Sequence, residues 1–181
     1  IEWTQLGLDS GGPGERRGGL GMRRALRLTR GTAAYSLLSD GAIMPPFGVH
    51  GGETGAPVDS YVINADETEH RFASPGKVGG HPLTEGDTVI LQSAAGGGYG
   101  DPLRRDPEEV HRDVENDLVS REIAETIYGV RFDNDGTIDI EGTASHRAAL
   151  SAARPRLRTI SDENDPYVAS GPSRRRTIRL H

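Results

Sequence analysis

The sequence predicts an α+β fold, mainly β with glycine-rich loops over residues 1–100, followed by a helical pair near 106–128. Three observations carry this. Short stretches of period-two alternation, punctuated by Gly and Pro, fill the first hundred residues. Glycine occupies 25 of 181 positions, about twice the usual frequency of roughly 7%, and it alternates with strand-like segments instead of forming low-complexity tracts. Near Asp101 the apolar spacing changes to i, i+4.

"IEWTQLGL" (1–8) reads as a first strand, and "DSGGPGERRGGLG" (9–21) as a turn-rich loop. "MRRALRLT" (22–29) puts Met22, Arg24, Leu26 and Leu28 on one face, as a half-buried strand does. "TAAYSLLSD" (32–40) follows Arg30-Gly31 and is expected to be its hairpin partner. "IMPPFGVHGGETGAP" (43–57) is a long loop, because two prolines remove donors and the glycines break any period. "SYVINAD" (60–66), "EHRFAS" (69–74) and "DTVILQSA" (87–94) read as further strands.

Asp106 caps a helix that has Pro107 at its first position and Glu109 three residues after the cap. Val110, Val114 and Leu118 make its apolar stripe. Ser120 caps a second helix, with Ile123, Ala124 and Ile127 inward and Gly129 ending it. "VRFDNDGTIDI" (130–140) is a hairpin around Asn134-Asp135-Gly136. Residues 144–157 are expected to form a short helix broken by Pro155, and 158–181 a disordered charged tail.

Composition excludes some functions. With 27 acidic against 21 basic residues the net charge is −6, which gives no reason to expect nucleic acid as a partner. "VSREIAETIYGV" resembles a helix-turn-helix reader, but Asp106–Tyr128 holds eight acidic residues against two arginines and would repel phosphates. There is no cysteine, so disulfides and thiolate zinc sites are ruled out. No apolar run approaches the roughly 20 residues of a membrane span, and no signal peptide is visible. The expected location is cytoplasmic. A first residue of Ile1 leads us to expect a piece of a longer chain.

Several glycine motifs in one order, "DSGGPGERRGGLG", "PPFGVHGGETGAP" and "GDTVILQSAAGGGYGDP", followed by "RDPEEVHRDVENDLVSREIAETIYGV", resemble the closing part of the hydantoinase B/oxoprolinase family. The resemblance covers roughly residues 1–135. It implies that residues 1–145 are the C-terminal portion of a much longer subunit, with 146–181 a short helix and tail. It further implies ATP-dependent hydrolysis of a cyclic amide such as a hydantoin, 5-oxoproline or a lactam, or the related carboxylation of a ketone. The partners implied are the N-terminal remainder of the subunit, a hydantoinase A-like ATPase subunit and the cyclic amide itself. ATP and a divalent metal are implied for the complete enzyme, the metal ligands lying in the N-terminal part. One departure is Gly41, which follows Ser39-Asp40 where the family usually carries a basic residue. The competing reading is a structural module with no chemistry of its own.

The sequence offers no catalytic residue, cofactor site or metal site within this chain. "AAGGGYGDP" lacks the Lys-Ser/Thr ending of a phosphate loop and the spacing of a dinucleotide fingerprint. An acidic first helical turn follows it, which repels an anion. It reads as a tight corner, with Tyr99 packing and Asp101 capping, although Gly97, Gly98, Tyr99 and Asp101 remain candidates for lining the substrate cavity or an interface. Asp9 and Ser10 stand as candidates for the same role. Arg17 can grip a carboxylate or phosphate with two prongs, or lie at a surface. Lys77 reads as a solvated loop lysine or as an anion partner. His50, His70 and His81 are candidates for metal or acid-base work, but each stands alone, with no second ligand in sight; His50 is also a candidate for lining the substrate cavity or an interface. "DNDGTID" has the look of a calcium loop but lacks the closing glutamate.

Overall fold

The structure, a computed structural model, describes residues 1–154. Strands β1 (Trp3–Leu6), β2 (Met22–Arg27), β3 (Thr32–Leu38), β4 (Asp59–Ile63), β5 (Glu69–Arg71), β6 (Lys77–Thr84) and β7 (Thr88–Gln92) come first. A 3₁₀ turn (Pro102–Arg104) and helices α1 (Pro107–Glu115), α2 (Arg121–Thr126) and α3 (Ile140–Ala153) follow. The α+β, mainly β expectation holds. The expected disordered tail lies outside the described residues.

The strands form an antiparallel sheet in the order β1-β2-β7-β4-β5 and a two-stranded sheet, β3-β6. β7 is central because "TVI" is apolar or β-branched on both faces and is buried throughout. Val62 of β4, Val89 of β7 and Leu83 of β6 make one core, flanked by Leu26, Leu28, Tyr35 and Phe72. Val110, Val119, Ala124, Tyr128 and Val130 make a second, among the helices. Asp87 closes the β6–β7 turn by accepting the Thr84 N–H at 2.7 Å and the Ala65 N–H at 2.9 Å.

Several expectations change. β3 is not the hairpin partner of β2. Gly31, at φ 75°, turns the chain away, and β3 pairs with β6 instead. Gly79, Gly80 and Pro82 give "KVGGHPLT" the look of a loop, yet it forms β6. Pro82 is tolerated in a two-stranded sheet, where each strand is an edge. The glycines fall opposite a register shift between Tyr35 and Leu37, where the Gly80 N–H donates to Ser36 Oγ at 2.9 Å. Lys77 is therefore the first residue of a strand, not a loop lysine. Leu26 of β2 and Leu28 just beyond it pack against the core as expected, but Met22 is exposed and Ala25 of the opposite face is fully buried. It lies between Trp3 and Ile90 in the ladder.

The helix caps stand as read. The Asp106 side chain accepts the Glu108 N–H, Ser120 accepts the Ile123 N–H, and Gly129 turns at φ 67°. Leu118 does not continue the α1 stripe. The helix ends at Glu115, and Asp117, at φ 54°, swings Val119 into the core in its place. α3 starts at Ile140, ahead of the expected 144, because Asp139 caps it through the Gly142 N–H. A boundary at residue 145 thus falls inside α3. The Asn-Asp-Gly hairpin is present, with Phe132 bridged to Ile138 and Gly136 at φ 89°.

Candidate functional site

Three loops that are remote in sequence close on one another: 9–21, 46–56 and 94–101. Their contact is backbone against backbone. The Gly12 N–H donates to Gly96 O at 2.9 Å, Gly96 N–H to Gly19 O at 2.8 Å, Gly98 N–H to Glu53 O at 2.8 Å and Val49 N–H to Gly98 O at 2.9 Å. Arg16 and Tyr99 exchange bonds at 2.9 Å in both directions. A Cβ on Gly97 would land on the Phe47 carbonyl, and one on Gly98 on the Pro13 carbonyl. These two positions are glycine because other backbone occupies the side-chain space.

The loop 94–101 is therefore a corner and does not fit a phosphate. The N–H groups of Gly96, Gly98, Tyr99 and Gly100 already donate to carbonyls of the neighbouring loops, and a phosphate cradle needs such groups free. Asp101 caps the 3₁₀ turn by accepting the Leu103 N–H at 2.9 Å, and it meets Arg154 at 2.6 Å. Burial works against the charge on Asp101, but the Leu103 N–H and the Arg154 guanidinium outweigh it and hold its carboxyl below the usual range.

Arg17 does take a carboxylate with two prongs, and the carboxylate belongs to the protein. Its Nε donates to Asp113 Oδ2 at 2.9 Å and its second prong to Oδ1 at 3.2 Å. Arg105 reaches the same Asp113 Oδ2 at 3.0 Å. The three side chains are 15%, 11% and 11% exposed for Arg17, Asp113 and Arg105. Tyr128, fully buried beside them, has its phenol pushed up to about 12, mainly by burial, with the two guanidiniums pulling the other way. Sequence reasoning missed Asp113, Arg105 and Tyr128. The available signal was Asp113 at i+3 from Val110, on the buried side of an otherwise solvated acidic helix.

The remaining candidates separate into braces and exposed groups. Asp9 sits at φ 58°, and its carboxylate accepts the Ser120 N–H at 2.7 Å, tying the first loop to the start of α2. Ser10 is buried, donates to Gly7 O at 2.6 Å and accepts the Gly21 N–H at 2.9 Å. His50, exposed at φ 53°, meets the Tyr99 ring edge-on at 5.1 Å. Lys77 is exposed at the rim of a cleft of about 390 Å³. His70 and His81 are not isolated. The β5 and β6 strands bring their rings into a stack at 4.6 Å, with Phe72 edge-on to both.

Among the described residues no three His, Asp or Glu side chains gather as metal ligands. Of the carboxylates in and beside the loops, Asp9, Asp101 and Asp113 are engaged by N–H groups or guanidiniums, and Glu15 lies 3.5 Å from Arg104. No helix among the described residues is long and apolar enough to cross a membrane.

Comparison with known proteins gives concordant results. Residues 1–102 match the sequence profile of the hydantoinase B/oxoprolinase family. The chain is 34% identical over 131 residues to a protein of Pseudomonas sp. (strain NS671) named as the B component of a D-/L-hydantoinase, covering 72% of this chain and 22% of that protein. It is 36% identical over 156 residues to the beta chain of the caprolactamase of Pseudomonas jessenii, covering 82% and 26%. The crystal structure of the ATP-dependent caprolactamase from that organism matches with a TM-score of 0.66 at 33% identity, over 82% of this chain and 26% of that one. A nucleotide-free acetone carboxylase shares the fold at a TM-score of 0.63 and 21% identity, over 82% of this chain and 24% of that one. This chain spans about a quarter of the length of these two Pseudomonas relatives.

Proposed function

The chain belongs to the hydantoinase B/oxoprolinase family, and on that premise we propose that it is the C-terminal part of a B-type subunit acting in ATP-dependent hydrolysis of a cyclic amide. The observation that carries the proposal is the likeness to a caprolactamase over 82% of the chain, in both sequence and fold. ATP use and ring opening belong to the assembled enzyme, in the cytoplasm, with an ATPase subunit as partner. Within it this chain has a shaping role. Asp9, Ser10, Arg17, Gly97, Gly98 and Asp101 brace the three loops, while His50, Tyr99 and Lys77 remain exposed to meet substrate or a neighbouring surface. The ketone carboxylase alternative is supported by likeness in fold to an acetone carboxylase and by likeness in sequence, over 40% of this chain, to an acetophenone carboxylase.

The test is turnover by the intact subunit with its ATPase partner, offered hydantoin, 5-oxoproline and caprolactam. The expected result is ADP release matched by ring-opened product. Consumption of bicarbonate and a ketone with no ring opening would overturn the reading. The 181-residue chain alone is expected to turn over neither ATP nor a lactam.

A further inference from the structure

One stretch of surface is apolar to a degree that water alone does not explain. Leu38, Ile43, Met44 and Phe47 are 84%, 85%, 85% and 78% exposed. Together they present on the order of several hundred Å² of apolar surface, the size of patch that marks an interaction site. Their backbone is held in place. The Ser39 N–H donates to Gly76 O at 2.8 Å, Val58 N–H to Gly41 O at 3.1 Å and Gly55 N–H to Pro46 O at 3.0 Å, and Phe47 O packs against Gly97. Ile43 and Met44 line one cleft with Lys77, and Lys77 also lines a shallower groove that reaches Leu38, so Leu38, Ile43 and Met44 share one surface, with Phe47 three residues further along the chain.

We propose that this surface seats the remainder of the subunit, the part of the relatives' length that lies outside this chain; the proposal rests on the family reading above. Two observations select that occupant. This chain corresponds to only 22–26% of its relatives, so the larger share of such a subunit has to pack somewhere against it. The surface is also poor in charge, with Asp40 and Lys77 the charged residues that line it, as permanent interfaces are. The acidic surface of α1 and α2 has the opposite character.

These 181 residues hold no cysteine, so an introduced thiol is the one reporter within them, and peptide mapping separates it from any thiol elsewhere. Met44→Cys, Phe47→Cys and, as an exposed reference on the β4–β5 turn, Glu67→Cys are made in the gene at its full encoded length. Maleimide labelling is followed by mass spectrometry of the peptides, natively and in urea. Native labelling at Met44 and Phe47 is expected to be at least about tenfold slower than at Glu67, with the three rates equal in urea. Labelling at Met44 and Phe47 as fast as at Glu67 overturns the proposal. Protection that appears only on adding the ATPase subunit, or only at raised protein concentration, assigns the surface to that subunit or to a second copy and overturns it equally. The ring-opening assay is independent. Protected thiols without ring opening sink the proposed activity alone, and ring opening with unprotected thiols sinks the docking surface alone.

Discussion

Arg17 and Asp113, 96 positions apart in the chain, meet in a two-pronged ion pair that joins the first glycine loop to α1. Arg105 shares the same carboxylate. Removing that carboxylate leaves two guanidiniums facing each other with little water. Asp113→Asn is therefore expected to cost about 3 kcal/mol, the range for a broken buried pair. Adding Arg17→Met to it should recover part of the loss, because one stranded charge is then gone. Urea denaturation of the two variants decides this, and a loss under about 1 kcal/mol would place the pair among ordinary surface contacts.

The glycines fall into three ranks. Gly98→Ala puts a methyl group into the Pro13 carbonyl and is expected to cost more than about 3 kcal/mol or to prevent folding. Gly136→Ala meets no atoms but sits at φ 89°, for a cost of about 1 kcal/mol. Gly79→Ala meets neither obstacle and should change stability by less than about 0.5 kcal/mol. Thermal melts of the three variants in any other order contradict the backbone-packing account.

Acid should weaken the β6–β7 turn. The Thr84 N–H, bonded to Asp87, holds this carboxyl below its usual range against the cost of burial, with the Ala65 N–H assisting. The folded protein then takes up this proton at lower pH than the unfolded chain, whose value is about 3.9. The stabilisation is complete above that value and is lost as pH falls through the folded one. The stability gap between wild type and Asp87→Asn should narrow between pH 6 and pH 3 in urea titrations. A gap that stays constant refutes the assignment.

Alkali acts through Tyr128. Its phenol is raised to about 12 by burial, above the unfolded value of about 10. The sign is now reversed: its contribution is full below about pH 10 and is lost as pH rises toward the folded value. Phenolate absorbance should show a late component that coincides with unfolding and is missing in Tyr128→Phe. An unchanged alkaline curve in that variant would show the ring to be accessible.

The parts of the fold legible in the sequence are those with a local cause. The apolar run of β7, the caps Asp106 and Ser120, and the turn at Gly129 each follow from a few adjacent residues. β6 is hidden because Gly79, Gly80 and Pro82 signal a turn, and only the shift against Tyr35 and Leu37 gives those residues a place in a strand. The stack of His70 on His81 is invisible because it depends on where two strands lie in space. The loop junction is half legible. An excess of glycine is plain, but its cause at Gly97 and Gly98 is close approach of remote carbonyls and not the positive φ that sequence leads one to look for. Gly100, at φ 74°, is the one residue of the loop that meets that simpler expectation. Arg17 has the chemistry its sequence context suggests, with an internal partner that no spacing announces.

The junction of the three loops also sets an order of events in synthesis. The bonds of Gly12 to Gly96 and of Arg16 to Tyr99 cannot form until residues 96–99 have left the ribosome. Until then the Gly12 N–H and the Arg16 and Gly19 carbonyls, which bond residues 96–99, have water in place of those partners, and closing so wide a span carries an entropic cost that only the completed contacts repay. The first loop thus waits for the segment that follows β7, and it stays open to proteases and to mispairing through the interval in which residues 22–99 are being made.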